Sequence, residues 1–165
     1  MFIRFLTTGG TIDKVYFDAL SQFEIGDPQL KHILVDGLVD FDYEIVPLLQ
    51  KDSLDVTDED RQRLRDYIAG DDAERYVVTH GTDSMPKTAE AFADLEDKTI
   101  VLTGALTPAR FKATDAVFNI GMAVAAAQVA PPGVYIAMNG QVFSAGEVVK
   151  NRALNRFEPE TRAGN

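Results

Sequence analysis

The sequence predicts an α/β domain: a doubly wound, mainly parallel sheet of flavodoxin-like or Rossmann-like type, with helices on both faces and a C-terminal hairpin extension. Three observations predict it. Short apolar runs alternate with helical stretches along the 165 residues, the rhythm of a parallel sheet with crossover helices. The runs are apolar almost throughout, as expected of strands covered on both faces. Two of them also lead directly into glycine-containing turns, Thr8-Gly9-Gly10-Thr11-Ile12 and His80-Gly81-Thr82-Asp83-Ser84, which read as strand-to-helix loops. In an open parallel sheet such loops leave one edge, the edge where ligands bind.

In chain order the expected strands are Phe2 to Leu6, Tyr43 to Leu48, Tyr76 to Thr79, Thr99 to Leu102 and Val134 to Met138. The expected helices cover Pro28 to Leu38, Asp58 to Ala69, Met85 to Leu95 and Asp115 to Ala127. Thr57, followed three residues later by Asp60, occupies the place of a capping box. Leu64, Tyr67 and Ile68 then share one helix face, which leaves Arg61, Arg63 and Arg65 mostly toward water. The segment Thr11 to Ile25 exceeds the 2 to 6 residues usual for such a connection. Val15-Tyr16-Phe17 and Phe23-Glu24-Ile25 flank a polar turn there, so the segment reads as a small hairpin packed on the domain or, compatibly, as a lid that closes over a substrate. Asn139-Gly140 marks a turn into a second apolar run, Val142 to Val149, which ends at Lys150. Its exposed edge is a surface for a partner subunit.

Composition excludes several function classes. With no cysteine there is no disulfide, no thiolate metal site and no cysteine nucleophile. Only His32 and His80 are present, so no zinc site with paired histidines is expected. Acids outnumber bases by 26 to 16, for a formal charge of −10, which repels nucleic acid. The longest apolar stretch, Met122 to Ala127, falls far short of the roughly 20 residues that span a bilayer. The N-terminus lacks the basic stretch, apolar segment and cleavage site of a leader, so a cytoplasmic location is the default. One domain over residues 1–165 is expected from length. Ser84-Met85-Pro86-Lys87 has serine-x-x-lysine spacing, but no partner motif accompanies it. Neither a phosphate loop nor a dinucleotide fingerprint is present, which leaves phosphate binding by the first glycine turn as a weak alternative.

Thr11 and Thr82 stand at the two turns and can face one substrate from two sides. A threonine hydroxyl becomes a nucleophile only when a base takes its proton. Asp83 beside Thr82, and Lys98 before the next strand, are candidate activating groups. A lysine between a carboxylate and a hydroxyl in a dry cleft can accept a proton while the carboxylate orients it. Bland readings stand beside these. Thr11 can simply cap the next element, Asp83 or Ser84 can cap a helix, and Lys98 can be an ordinary exposed residue.

The two turn motifs resemble the two signatures of the bacterial-type L-asparaginases. Further matches follow in family order: Asp97-Lys98, Thr103-Gly104-Ala105-Leu106-Thr107-Pro108, Asp115 to Asn119, and Gly133 to Asn139. The resemblance implies hydrolysis of L-asparagine to L-aspartate and ammonia, without metal or cofactor. It implies Thr11 as nucleophile, Tyr16 as its hydroxyl partner on the lid, and Thr82, Asp83 and Lys98 as a proton relay. Gly10 and Gly81 would offer backbone N–H groups to the substrate. Asp52 and Ser53 occupy the place of the polar loop that holds the substrate's α-ammonium and α-carboxylate; the alternative is a turn that caps the helix beginning near Asp58. Typical members carry a second, smaller domain, so this chain reads as a short member or a fragment, active as a homodimer or homotetramer. The alternative is an asparagine-binding or amidotransferase-associated module with little turnover of its own.

Overall fold

The computed structural model describes residues 1–17 and 22–160. Its elements are β1 (Phe2–Gly9), β2 (Lys14–Phe17), β3 (Gln22–Ile25), α1 (Leu30–Asp36), β4 (Asp42–Lys51), α2 (Asp58–Gly70) and β5 (Arg75–Thr79). They continue with α3 (Met85–Glu90), β6 (Thr99–Thr103), α4 (Ala116–Val129), β7 (Gly133–Met138), β8 (Gln141–Ser144), β9 (Val148–Asn151) and β10 (Arg156–Pro159). The main sheet has the order β4-β1-β5-β6-β7-β8. All its neighbours run parallel except β7 and β8. This is the predicted α/β fold.

The nearly continuous apolar strands serve two cores at once. Leu6, Tyr76, Val78, Ile100 and Leu102 pack on one face with Leu64 and Ile68 of α2 and Met85 and Ala89 of α3. Their strand neighbours Ile3, Phe5, Val77 and Val101 point the other way, onto α1 and the alanine-rich face of α4. Period-two alternation therefore divides each strand between the layers. Each large side chain fully buried here, such as Phe5 or Phe92, is stabilised by about 1.5–3 kcal/mol through removal from water.

Chain direction fixes where the site lies. From β1 the chain crosses by α1 to β4 on one side, then by α2 to β5 on the other. The winding thus reverses at β1, and the loops leaving the C-terminal ends of β1 and β5 flank the crevice that such a reversal opens.

Three expectations are corrected. The helix expected over Met85 to Leu95 ends at Glu90, where the bonds from Phe92, Ala93 and Leu95 N–H reach back three residues and tighten the chain. The Val142 to Val149 run is not one strand. Asn139 and Gly140, with φ of 52° and 78°, form the expected hairpin turn, but β8 stops at Ser144 and β9 pairs with β10 in a separate two-stranded sheet. Arg61 does not face water. Its side chain is buried, with Nε donating to Thr88 Oγ1 at 3.1 Å and Nη1 pairing with Asp58 at 2.8 Å. The α2 start is as read: Thr57 and Asp60 form a reciprocal capping box.

Residues Thr11 to Ile25 do form a hairpin, β2 with β3, in which Tyr16 stands opposite Phe23. The expected turn between them lies in residues 18–21, outside the described residues, as do the last five residues of the polar C-terminal stretch. Among the described residues no helix is long and apolar enough to cross a membrane.

Candidate active site

Three loops interlock at the C-terminal edge of the sheet. Gly10, at φ +84°, lies so close to the β5 turn that a Cβ there would sit 2.5 Å from the Gly81 Cα and N. Only glycine fits that backbone conformation and that approach. Gly81 in turn packs on the loop after β4, where an added Cβ would stand 2.4 Å from the Ser53 Cβ. Hydrogen bonds secure the junction: Gly10 N donates to Lys51 O at 2.9 Å, and the Ser84 hydroxyl donates to Ser53 O. Ser84 therefore holds the neighbouring loop and makes no side-chain cap bond at α3.

This junction sets the positions of the predicted polar residues. Thr11 opens a 3-10 turn, Thr11–Asp13, directly after Gly10, so Gly10 takes the cap position and the Thr11 hydroxyl is not the cap. Thr82 and Ser53 are buried beside Gly81. Gly10, Thr11, Ser53, Gly81, Thr82 and Asp83 thus belong to one locality, built from segments up to 73 residues apart in sequence.

Lys98 does not belong to it. The residue precedes β6, at the N-terminal edge of the sheet, and the five residues of β6 carry the chain about 16 Å to the other edge at roughly 3.3 Å per residue. Its Nζ donates to the carbonyls of Asp71 and Ala73 at 3.0 and 2.9 Å. Lys98 ties a loop to the base of the sheet, and the relay assigned to it is corrected accordingly.

Lys150 stands against Thr82 and Asp83 instead. Its Nζ lies 2.7 Å from Thr82 Oγ1 and 2.8 Å from Asp83 Oδ1, with only 10% of its side chain exposed. Lys150 shares a face of β9 with Val148, two residues before it, and Val148 is part of the hydrophobic core. That face is turned inward. The signal was present in the sequence as a lysine closing an apolar run, two residues after a core valine. Arg152 brings a second cation, its Nε 3.6 Å from Asp83 Oδ1, from a more exposed position.

The other predicted residues are placed differently. Asp52 accepts from Leu54 N at 3.2 Å, capping the short turn Ser53–Asp55, and pairs with Lys14 at 2.8 Å. The Lys14 bond holds its carboxyl below the usual aspartate value. Tyr16 is half exposed; its ring packs edge-on to Phe23, which itself leans on Phe111. The structure does not join Tyr16 to the Thr82–Lys150 cluster. Asp13, two residues after Thr11, is buried: its Oδ1 accepts from Gln29 N at 2.8 Å and its backbone carbonyl accepts from Gly26 N at 2.8 Å. These bonds fasten both ends of the β2–β3 hairpin. Burial pushes the Asp13 carboxyl up to about 6, against the lowering effect of the Gln29 N–H.

Asp115 and Asn119, also named from the sequence, act on the loop after β6. The Asp115 carboxylate accepts from Leu106 N, Thr107 N and Asn119 Nδ2, and Asn119 donates to Gly104 O. Ala109 N reaches Ile12 O at 3.0 Å, joining this loop to the turn that carries Thr11. Among the described residues no cluster of histidine and carboxylate side chains is arranged to hold a metal ion.

Residues 2–158 match the family described as Asparaginase, N-terminal. The chain belongs to this family. An L-asparaginase of Bacillus licheniformis is 30% identical over 167 residues, covering 93% of this chain and 51% of that protein. A probable periplasmic L-asparaginase of Haemophilus influenzae is 42% identical over 81 residues, which cover 46% of this chain and 23% of that protein. The thermostable L-asparaginase from Thermococcus kodakarensis superposes with a TM-score of 0.82 at 26% identity, over 96% of this chain and 51% of its own. The chain thus spans about half the length of the Bacillus licheniformis and Thermococcus kodakarensis asparaginases, and the fold described above is that of the asparaginase N-terminal domain.

Proposed function

We propose that this asparaginase-family chain hydrolyses the side-chain amide of L-asparagine to L-aspartate and ammonia. The observation that carries the reading is the placement of Lys150 against both Thr82 and Asp83, beside the Gly10–Gly81 junction that presents Thr11. In this reading Thr11 Oγ attacks the amide carbon, its proton passing to the Thr82–Lys150–Asp83 set. The C–N bond then breaks, the leaving nitrogen takes a proton, and ammonia departs from an ester on Thr11. Water attacks that ester carbon, restores the hydroxyl and releases aspartate. Main-chain N–H groups of the two glycine turns receive the charge that develops on the carbonyl oxygen; removing one such donor costs about 10²–10³ in kcat in other hydrolases. Ser53 and its loop hold the substrate α-carboxylate, and Asp52 holds its α-ammonium.

The active unit in this reading is a homo-oligomer. Val142 and Val149 remain exposed on the β8–β9 corner, and light scattering against activity tests the assignment. Turnover itself is tested by ammonia release from purified protein supplied with L-asparagine. Thr11→Ala is expected to abolish release while circular dichroism and Tm stay near wild type. A folded Thr11→Ala protein with wild-type turnover would remove the nucleophile.

A further inference from the structure

A file of polar side chains, buried from Arg61 inward and open to solvent at Asp58, runs beneath the turn that carries Thr82. Asp58 Oδ1 accepts from Arg61 Nη1 at 2.8 Å, and Arg61 Nε donates to Thr88 Oγ1 at 3.1 Å. Thr88 Oγ1 lies 3.0 Å from His80 Nε2, and His80 Nδ1 lies 2.7 Å from Gly81 O. His80 and Thr88 are fully buried, and Arg61 is 5% exposed.

The direction of every bond in the file follows from one acceptor. A carbonyl oxygen cannot donate, so the His80 proton must sit on Nδ1. Nε2 is then a bare acceptor and takes the Thr88 hydroxyl proton, and Thr88 Oγ1 accepts in turn from the guanidinium of Arg61, which is always charged. Burial lowers the imidazole to about 4, against the raising effect of the Gly81 bond, with the charge of Arg61 lowering it further. A neutral ring is what the file requires. Helical periodicity alone leaves Arg61 at the surface; the structure joins it through Thr88 to His80.

Its far end matters for chemistry. Gly81 C=O and Thr82 N–H belong to one peptide plane, and in a trans peptide they point in opposite directions; among the described residues there is no cis peptide. With the Gly81 carbonyl drawn inward onto His80, the Thr82 N–H is turned outward, and among the described residues no main-chain carbonyl accepts it. We propose that His80 is a positioning residue: by holding the Gly81 carbonyl it aims the Thr82 N–H at the substrate carbonyl, with Thr88 and Arg61 fixing the ring. The inference rests on the amidohydrolase reading for its consequence, and on the hydrogen-bond geometry alone for its mechanism.

Two variants and one spectroscopic readout test it. His80→Phe fills the space and removes the Nδ1–H donor; His80→Asn keeps an N–H near Nδ1 and loses the link to Thr88. A donor aimed at developing charge is used in the transition state and hardly at all in binding. His80→Phe is therefore expected to lower kcat by about 10²-fold with KM within about threefold, and His80→Asn to lose less than tenfold. Nitrogen-15 NMR of wild type is expected to show a neutral His80 protonated on Nδ1 at pH 6.5, and the Thr82 amide resonance to shift in His80→Phe and return toward wild type in His80→Asn. Folded His80→Phe protein with kcat near wild type would overturn the proposal, as would equal losses in both variants or a ring protonated on Nε2. If wild type releases no ammonia, the amidohydrolase reading fails by itself. The Thr82 amide then decides the positioning claim alone, and an unchanged resonance in His80→Phe rejects it.

Discussion

Lys150 Nζ and Thr82 Oγ1 stand 2.7 Å apart, although 68 residues separate them in sequence. The contact joins a strand of the C-terminal extension to the β5 turn, and the Asp83 carboxylate holds the same ammonium at 2.8 Å. Lys150→Met keeps the stem and deletes the charge. It should lower the amidase rate by at least about 10²-fold, the lower end of what positioned acid–base groups contribute. Lys98→Met should leave the rate near wild type and cost stability instead, about 1–3 kcal/mol, because the carbonyls of Asp71 and Ala73 lose their donor. Steady-state kinetics and urea unfolding of the two variants separate the two lysines. The reverse pattern would return Lys98 to the site.

Gly81→Ala tests the junction itself. The new methyl would stand 2.4 Å from Ser53 Cβ and 2.9 Å from Ser53 N, so the turn or the Ser53 loop must shift. Overpacking of this kind costs about 1–3 kcal/mol, and a displacement of about 1 Å near reacting groups costs on the order of 10²-fold in rate. The variant should lose both stability and turnover. Wild-type kinetics with an unchanged urea midpoint would show that the loops do not depend on one another.

Most of the fold was readable because apolar period and turn chemistry are local signals. The five parallel strands, the α2 capping box at Thr57 and the Asn139-Gly140 turn each follow from residues adjacent in sequence. The two glycine turns were readable too, since a glycine forced by close approach leaves its mark on the chain. What failed was non-local. Lys98 lies beside a strand in sequence but at the wrong end of it, which only the direction of β6 decides. Lys150 reaches Thr82 through a bend after Ser144 that divides one apolar run into β8 and β9, and helical periodicity alone placed Arg61 in water. Partners two elements away, Thr88 among them, offset the desolvation of that guanidinium.

Substrate length should be read strictly. Thr11 and Ser53 are fixed relative to each other through Gly10 and Gly81, so the nucleophile and the loop proposed to hold the α-carboxylate keep one separation. L-glutamine inserts a methylene between the amide carbon and the α-carbon, which moves the reacting carbon by about 1 Å, enough to cost on the order of 10²-fold. kcat/KM for L-asparagine should exceed that for L-glutamine by about that factor. Equal specificity constants would mean that the Ser53 loop does not set the substrate's position.

Asp13 and His80 should act on stability in opposite senses over the same pH range. Burial raises Asp13 from 3.8 to about 6, so the folded state holds its proton more tightly than the unfolded state does. Its contribution is complete below pH 4 and is lost as pH rises through 6. Burial lowers His80 from 6.5 to about 4, so between these values the unfolded state binds the extra proton. That contribution is complete above pH 6.5 and is lost as pH falls through 4. Each shift of about two units corresponds to roughly 3 kcal/mol, and in wild type the two largely cancel between pH 4 and 6. Carboxylates held low by partners, such as Asp52 with Lys14, titrate below this window. Asp13→Asn should therefore unmask a stability that rises with pH, and His80→Asn one that falls with pH, relative to wild type. Urea unfolding at pH 4.5 and 6.5 measures both slopes; variants whose slopes move in the same direction would refute the opposition.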